Sequence, residues 1–181
     1  CGFAYNATFD ETLLNYDSRY DNSVPSVVMT DYYKNIAAYL HGKYRVGNGL
    51  VVDIGCGKGM FLKVAAHLFP AMRGLGVDPS YESDHDENPP SNLKFVNSVF
   101  SANQITERPA LVVCRHVLEH IHQPIDFLKS IQSALALFPG VPFFLEVPDL
   151  LWIIKNRTFW DFCYEHCNYF TSESISHVLS V

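Results

Sequence analysis

Along this chain, short apolar runs alternate with segments whose apolar residues recur at helical spacing, the pattern of an α/β protein. The runs fall at Leu50–Ile54, Gly74–Val77, Leu93–Val96, Ala110–Cys114 and Val141–Val147, and each is bounded by turn-forming residues. Between them, Val28, Tyr32, Ile36 and Tyr39 predict a helix from Val27 to about His41. An amphipathic stretch from Phe61 to Phe69 predicts a second, stopped by Pro70. Pro124 opens a third, which carries Leu128, Ile131 and Leu135 on one face until Phe138-Pro139-Gly140 ends it. Strands alternating with helices in this way predict a mostly parallel, doubly wound sheet. The segment 1–26 is rich in Tyr, Asn and Asp and has weak periodicity, so it reads as an irregular lead-in to a domain spanning 27–181. The acidic, proline-containing stretch Tyr81–Asn92 predicts an exposed loop. Thr171 with Ser172 and Ser174 predicts the start of a last helix running to Val181.

The first apolar run ends in Asp53 and continues Gly55-Cys56-Gly57-Lys58-Gly59 into the second helix. Three glycines two residues apart permit positive φ angles and let a ligand approach the backbone of a tight strand-to-helix turn. The helix then aims its first N–H groups at that ligand. A dinucleotide fingerprint spaces its glycines G-x-G-x-x-G around a pyrophosphate, whereas this turn is D-x-G-x-G-x-G with an acid ahead of it, unfavourable beside an anion. The second run closes on Asp78-Pro79, about one βα unit later, where a carboxylate accepts hydrogen bonds from both hydroxyls of a ribose. An acid before proline is also a common turn former, and a glycine-rich turn also occurs without any ligand.

The pattern from Asp53 to Gly59, with Asp78 after it, resembles the first motifs of class I S-adenosylmethionine-dependent methyltransferases. That resemblance implies a Rossmann-like methyltransferase sheet and S-adenosylmethionine as cofactor. Asp53, Gly55, Gly57 and Gly59 would sit beside its amino acid part and Asp78 at its ribose. A sulfonium and an ammonium give a carboxylate at the strand end a reason to be there.

Composition narrows the partners. The 181 residues are 48% hydrophobic, enough for one domain with a sizeable core. Nineteen acids against 13 Lys plus Arg give a net charge of −6 with no basic cluster, which disfavours a nucleic-acid partner. No apolar run approaches membrane-spanning length and no signal-like start is present, so the expectation is no membrane partner and a cytoplasmic location. Five scattered cysteines do not form a secreted disulfide framework. Cys1-Gly2 at the start is similar to the end of a zinc knuckle; an upstream zinc module, a tag remnant and a plain start all fit.

Ligands in such sheets bind beyond the carboxyl ends of the strands, and two dense clusters fall there. The first is Arg115-His116-Val117-Leu118-Glu119-His120-Ile121-His122, with Glu146 and Asp149 at and beyond the end of the fifth run. His116-x-x-Glu119-His120 also fits the H-x-x-E-H motif of inverted metalloproteases, which requires one long helix. Pro124 follows too soon for that, so the segment reads as a strand-to-helix loop. It resembles the fourth motif of many methyltransferases, which implies that Arg115 and His116 line the cofactor cleft, while His120 and His122 also read as structural histidines.

The second cluster, Tyr164-Glu165-His166 followed by Tyr169-Phe170, sharpens the resemblance. Together with Cys1-Gly2 and Asn6, and with Tyr16-Asp17 and Tyr20-Asp21-Asn22-Ser23, it resembles C-methyltransferases that modify nucleotide-linked keto-sugars, and their many relatives. That implies a small-molecule acceptor, His166 as base, Glu165 orienting it, Tyr164 holding an enolate oxygen, and Tyr20 reaching in from the lead-in. Imidazole titrates near operating pH, as such a base should. Carbon, oxygen and nitrogen acceptors all suit this set. Cys163 and Cys167 beside His166 are too few for a closed zinc site, so no metal is expected. Asn97 closes the third run where the superfamily often has an acid near the adenine. The superfamily's sheet has two further strands, so the chain reads as a fragment with an open edge, from which a homodimer is expected. Two other readings stand beside the enzyme: a cofactor-binding but inactive regulatory or assembly module, and a nicotinamide-dependent oxidoreductase.

Overall fold

Alternation within the strands builds two faces, and both are covered. In the computed structural model, which describes residues 2–17, 19–21, 26–82 and 90–180, the chain runs through β1 (Ala4–Tyr5), α1 (Val27–Tyr44), β2 (Leu50–Ile54), α2 (Met60–Leu68), β3 (Arg73–Val77), β4 (Leu93–Val96), β5 (Leu111–Arg115), α3 (Pro124–Leu135), β6 (Phe143–Glu146), α4 (Leu150–Asn156), β7 (Asn168–Tyr169) and α5 (Ser172–Val178). Most of the loop expected over Tyr81–Asn92 lies outside the described residues, as do Cys1 and Val181.

The five expected strands form one sheet in the order β4-β3-β2-β5-β6, every pairing parallel. Val51 of β2 with Leu111 and Val113 of β5 packs against α1 and α2 through Ala37, Leu40, Phe61, Leu62 and Ala65. Leu50, Val52 and Ile54, with Val112 and Cys114, face the other way onto Ile131 and Ala134 of α3. Period two thus puts alternate residues of one strand into two different cores. Asp53 lies on the α1/α2 face, 3% exposed, at the end of a strand that is otherwise wholly apolar.

The helices begin where their caps allow. The Ser26 hydroxyl accepts from the Met29 N–H at 3.1 Å and starts α1, which runs three residues past His41 before Arg45 turns left-handed at φ 51°. Gly59, at φ 77°, is the N-cap of α2 and offers no side-chain cap, so the first N–H groups of that helix stay open to a ligand. Gly55 is also left-handed, at φ 74°, and any Cβ there would overlap the Val117 side chain.

Two features depart from the periodicity. Residues Leu150–Asn156 are helical, beginning where Asp149 accepts from the Leu151 N–H at 2.9 Å. The lead-in is not wholly irregular: β1 pairs antiparallel with β7, Ala4 opposite Tyr169 and Tyr5 opposite Asn168. Phe3 caps this small ribbon against Phe170 with ring centroids 5.4 Å apart.

Candidate active site

The carboxyl ends of β2, β3 and β5 open on a cleft of about 450 Å³. Asp53, Gly55, Gly57, Asp78, Arg115, His116 and Tyr20 all line it, so seven of the expected site residues converge on one cavity. Gly59 does not line it; its Cα lies against the Phe95 ring and its role is to start α2. At Gly57, φ is 54° and nothing lies within 4 Å of where a Cβ would stand, so the open side of the turn faces the cavity. A side chain there would occupy the space a bound molecule needs. Asp78 accepts from the Gly57 N–H at 2.8 Å and from the Ser80 N–H and hydroxyl at 2.7 Å each, three of the roughly four bonds a carboxylate can take.

Behind the turn lies a buried charge chain. Burial pushes the Asp53 carboxyl up to about 7, with Arg115 opposing the rise and Asp78 adding to it. Arg115 donates from Nε to Glu146 Oε2 at 2.6 Å and lies over the Phe61 and Tyr33 rings, 4.7 and 5.1 Å from their centroids. Its NH2 group is buried without a hydrogen-bond partner among the described residues. Glu146 also accepts from the Tyr32 hydroxyl, and burial pushes its carboxyl up. His116 stands at the end of β5 in a left-handed conformation, φ 54°, with Nδ1 3.6 Å from Glu119 Oε1 and Nε2 3.6 Å from Glu146 Oε1.

The segment after β5 is a loop with one 3-10 turn over Leu118–His120, not the long helix an H-x-x-E-H metalloprotease needs. The β7 region locks this turn: the Cys167 thiol donates to the Glu119 carbonyl at 3.4 Å and Asn168 Nδ2 to the Ile121 carbonyl at 2.6 Å. His120 therefore points inward. Its Nδ1 meets the Tyr16 hydroxyl at 3.2 Å and the Glu165 carbonyl at 3.1 Å, and its ring meets His166 edge-on with centroids 4.8 Å apart. Burial holds the His120 pKa below its ordinary value and pushes the hydroxyls of Tyr16 and Tyr20 up, so both phenols remain donors at neutral pH.

The expected acid-base trio is dispersed. His166 does not line the first cleft; it borders an adjoining one of about 380 Å³, which shares His116 and His120 with the first and adds Glu119. Asp161, not Glu165, meets its Nδ1, through a backbone carbonyl at 3.2 Å. Glu165 stays close enough to Tyr16 and Tyr20 to raise their pKa values. Tyr164 is turned away: its hydroxyl accepts from the Asp10 N–H at 3.0 Å and its ring stacks on Phe9, because β1 pairing draws the lead-in across that side. The enolate-holding role expected of Tyr164 does not fit this position. Phe159 and Trp160 are exposed and line neither cleft. Asn97 donates to the Tyr81 carbonyl and shapes the loop, while Val99, Phe100 and Phe127 supply the apolar wall of the first cleft.

Tyr16, Tyr33, Glu119 and His120 belong to the site and were not among the expected residues of it. Tyr16 and Tyr20, four apart in an otherwise unpatterned segment, were the available signal. No sequence signal places Glu119, with a 2% exposed side chain, on the inner side of its turn.

Comparison with known proteins gives the same direction. A family model described as a methyltransferase domain matches residues 29–180. The C-methyltransferase NovU of Streptomyces niveus is 30% identical over 132 residues, 70% of this chain and 30% of that protein. The mitochondrial ubiquinone biosynthesis O-methyltransferase of Schizosaccharomyces pombe is 29% identical over 89 residues, 46% and 32% of the respective chains. The chain thus spans about a third of the length of these curated relatives. In fold, it is similar to the crystal structure of magnesium protoporphyrin IX methyltransferase from Synechocystis PCC 6803 with bound S-adenosylmethionine. The TM-score is 0.56 at 18% identity, covering 97% of this chain and 86% of that one.

Proposed function

We propose that this chain, which belongs to the methyltransferase-domain family, carries the catalytic site of an S-adenosylmethionine-dependent methyltransferase acting on a small molecule. The observation that carries this reading is the convergence of the left-handed Gly55-x-Gly57 turn, buried Asp53 and Asp78 on one cavity. The residues fit the cofactor. Gly57 leaves open the space that a side chain would fill, and two carboxylates, Asp53 and Asp78, line the same cavity. Asp53 would balance the positive amino acid part, and Asp78 would take a ribose hydroxyl on its remaining lone pair. Val99, Phe100 and Phe127 would receive the flat adenine. When bound, S-adenosylmethionine supplies an electrophilic methyl group on a sulfonium, and the enzyme's principal work is to align the acceptor with it.

For the acceptor, the finer reading is C-methylation of a keto-sugar or similar carbonyl compound. A carbon next to a carbonyl must lose a proton before it can take a methyl group. His166 is the proton acceptor, aided by neutral His120 against it. Tyr16 and Tyr20, whose hydroxyls burial keeps protonated, donate to the oxygen on which negative charge develops. They take the role first expected of Tyr164. The acceptor then spans the shared wall of the two clefts. The 30% identity to NovU, a C-methyltransferase by name, supports this class of chemistry. Asp53 ahead of the glycines speaks against a nicotinamide cofactor.

Calorimetric titration with S-adenosylhomocysteine tests the cofactor reading, because the product needs no acceptor. Micromolar binding is expected, weakened at least about tenfold by Asp53→Ala and by Gly57→Val; unchanged affinity in both variants overturns it. With nucleotide-linked keto-sugars as acceptors, His166→Ala should retain cofactor and lose roughly 10²- to 10⁴-fold in turnover. An inactive binding module would show no turnover in the parent chain either.

A further inference from the structure

We propose that Glu119, His120 and His166 form a binding site for one divalent first-row transition-metal ion, Zn²⁺ or a similar cation, in the wall between the two clefts. Their ligand atoms lie within 4.8 Å of one another, although the residues are 47 positions apart at the extremes, from Glu119 to His166. Three observations make this more than a cluster. Glu119 is 1% exposed, and its Oε2 has no hydrogen-bond partner among the described residues. A buried carboxylate oxygen without a protein donor needs a compensating partner, which a cation would supply. The second observation is the orientation of the imidazoles. Nδ1 of His120 meets the Glu165 carbonyl at 3.1 Å and Nδ1 of His166 meets the Asp161 carbonyl at 3.2 Å. A carbonyl can only accept, so each Nδ1 carries the proton and each Nε2 holds a free lone pair. Backbone carbonyls on Nδ1–H are how proteins orient histidine ligands. The third is access: the adjoining cleft of about 380 Å³ leads to the group and brings Asp149 and Asp161 to its rim.

The donor set selects the ion. Two imidazoles and one carboxylate suit Zn²⁺, Co²⁺ or Fe²⁺ and are poor for Mg²⁺ or Ca²⁺, which take oxygen. Ligands of a tetrahedral Zn²⁺ stand about 3.3 Å apart, so side-chain rotation must draw the three together. Three protein ligands leave a coordination position open towards the cleft. The expectation of no metal weighed Glu119 and His120 only with His116 on one helix, and Cys163 and Cys167 beside His166; the fold instead brings Glu119 and His120 to His166. An Nε2 that binds a metal ion cannot take a proton, so the loaded site and His166 acting as base are alternative states. Metal binding itself does not depend on the methyl-transfer reading.

The test is Co²⁺ titration followed by its d–d absorption, with equilibrium dialysis against Zn²⁺, on the chain without cofactor or acceptor. One equivalent should bind, and the spectrum should show nitrogen and oxygen ligation without a thiolate charge-transfer band. Affinity should fall at least about tenfold in Glu119→Gln and in His166→Asn, and stay within about twofold in Cys163→Ser. His166 is part-exposed, so His166→Asn decides the matter should Glu119→Gln fail to fold. No saturable binding, equal binding in the folded variants, or loss in Cys163→Ser overturns the proposal. None of these outcomes bears on S-adenosylhomocysteine affinity, so the two proposals fail separately.

Discussion

Asp53 stands 3% exposed beside Arg115 with its carboxyl pushed up to about 7 by burial, so its ionisation is coupled to whatever cation enters the cleft. The sign follows from linkage. The unfolded carboxyl ionises near 3.9 and the folded one near 7, so burial favours the protonated form. The stability this residue contributes is therefore complete below about pH 4 and is lost as pH rises through about 7. A bound sulfonium and ammonium favour the ionised form, so S-adenosylmethionine affinity should rise between about pH 5.5 and 7.5, then level off. Titration at about pH 6 in two buffers of different ionisation heat should register a released proton, and Asp53→Asn should abolish both effects. A flat pH profile in the parent chain would show that Asp53 does not sense the ligand. Asp53, Gly57 and Asp78 were legible because backbone conformation and charge at a strand end are local properties. Glu119 was not, since which side of a 3-10 turn is buried depends on Cys167 and Asn168 pairing from the far end of the chain.

Among the elements, α5 depends most on its cap. Thr171 and Ser174 form a reciprocal capping box, Ser174 N–H to Thr171 Oγ1 at 3.2 Å and Thr171 N–H to Ser174 Oγ at 2.9 Å, both residues buried. A helix of seven residues has little propensity of its own to draw on. Thr171→Ala should cost about 1 to 2 kcal/mol, read as a lower urea midpoint with unchanged slope. A Thr171→Ser variant that keeps the oxygen should recover most of it. The five strands of the sheet were read from the sequence to within one or two residues because each is a short, mostly apolar run between breakers. The helix α4 was missed for a related reason. Leu150 and Ile153 point inward while Leu151, Trp152 and Ile154 are more than half exposed, so the segment is apolar all round and has no period to detect. Pairing of β1 with β7 involves two residues on each side and is invisible to any local pattern.

Over the whole molecule, the exposed apolar residues are not evenly spread. Leu151, Trp152 and Ile154 of α4 continue into Phe159 and Trp160, whose rings meet at 5.2 Å, and Phe162 follows. Such a face favours association, and a second copy of the chain is the expected partner. Sedimentation over a range of concentrations should show self-association that persists at high salt and is lost in Trp152→Glu with Trp160→Glu; a monomer at all concentrations would remove the homodimer expectation. Among the described residues, no helix is long and apolar enough to cross a membrane, so this face is not part of a spanning helix. The ribbon of β1 with β7 bears on the order in which the molecule assembles. Joining Tyr5 to Asn168 in a disordered chain would cost on the order of 4 to 5 kcal/mol in loop entropy for a two-residue reward. Once the parallel sheet has fixed both ends nearby, most of that cost is gone. The ribbon therefore closes late in folding and opens early in unfolding, and Tyr16 and Tyr20, strung between it and α1, inherit that timing. A cleft wall made last is the wall a ligand can part without disturbing the sheet beneath it.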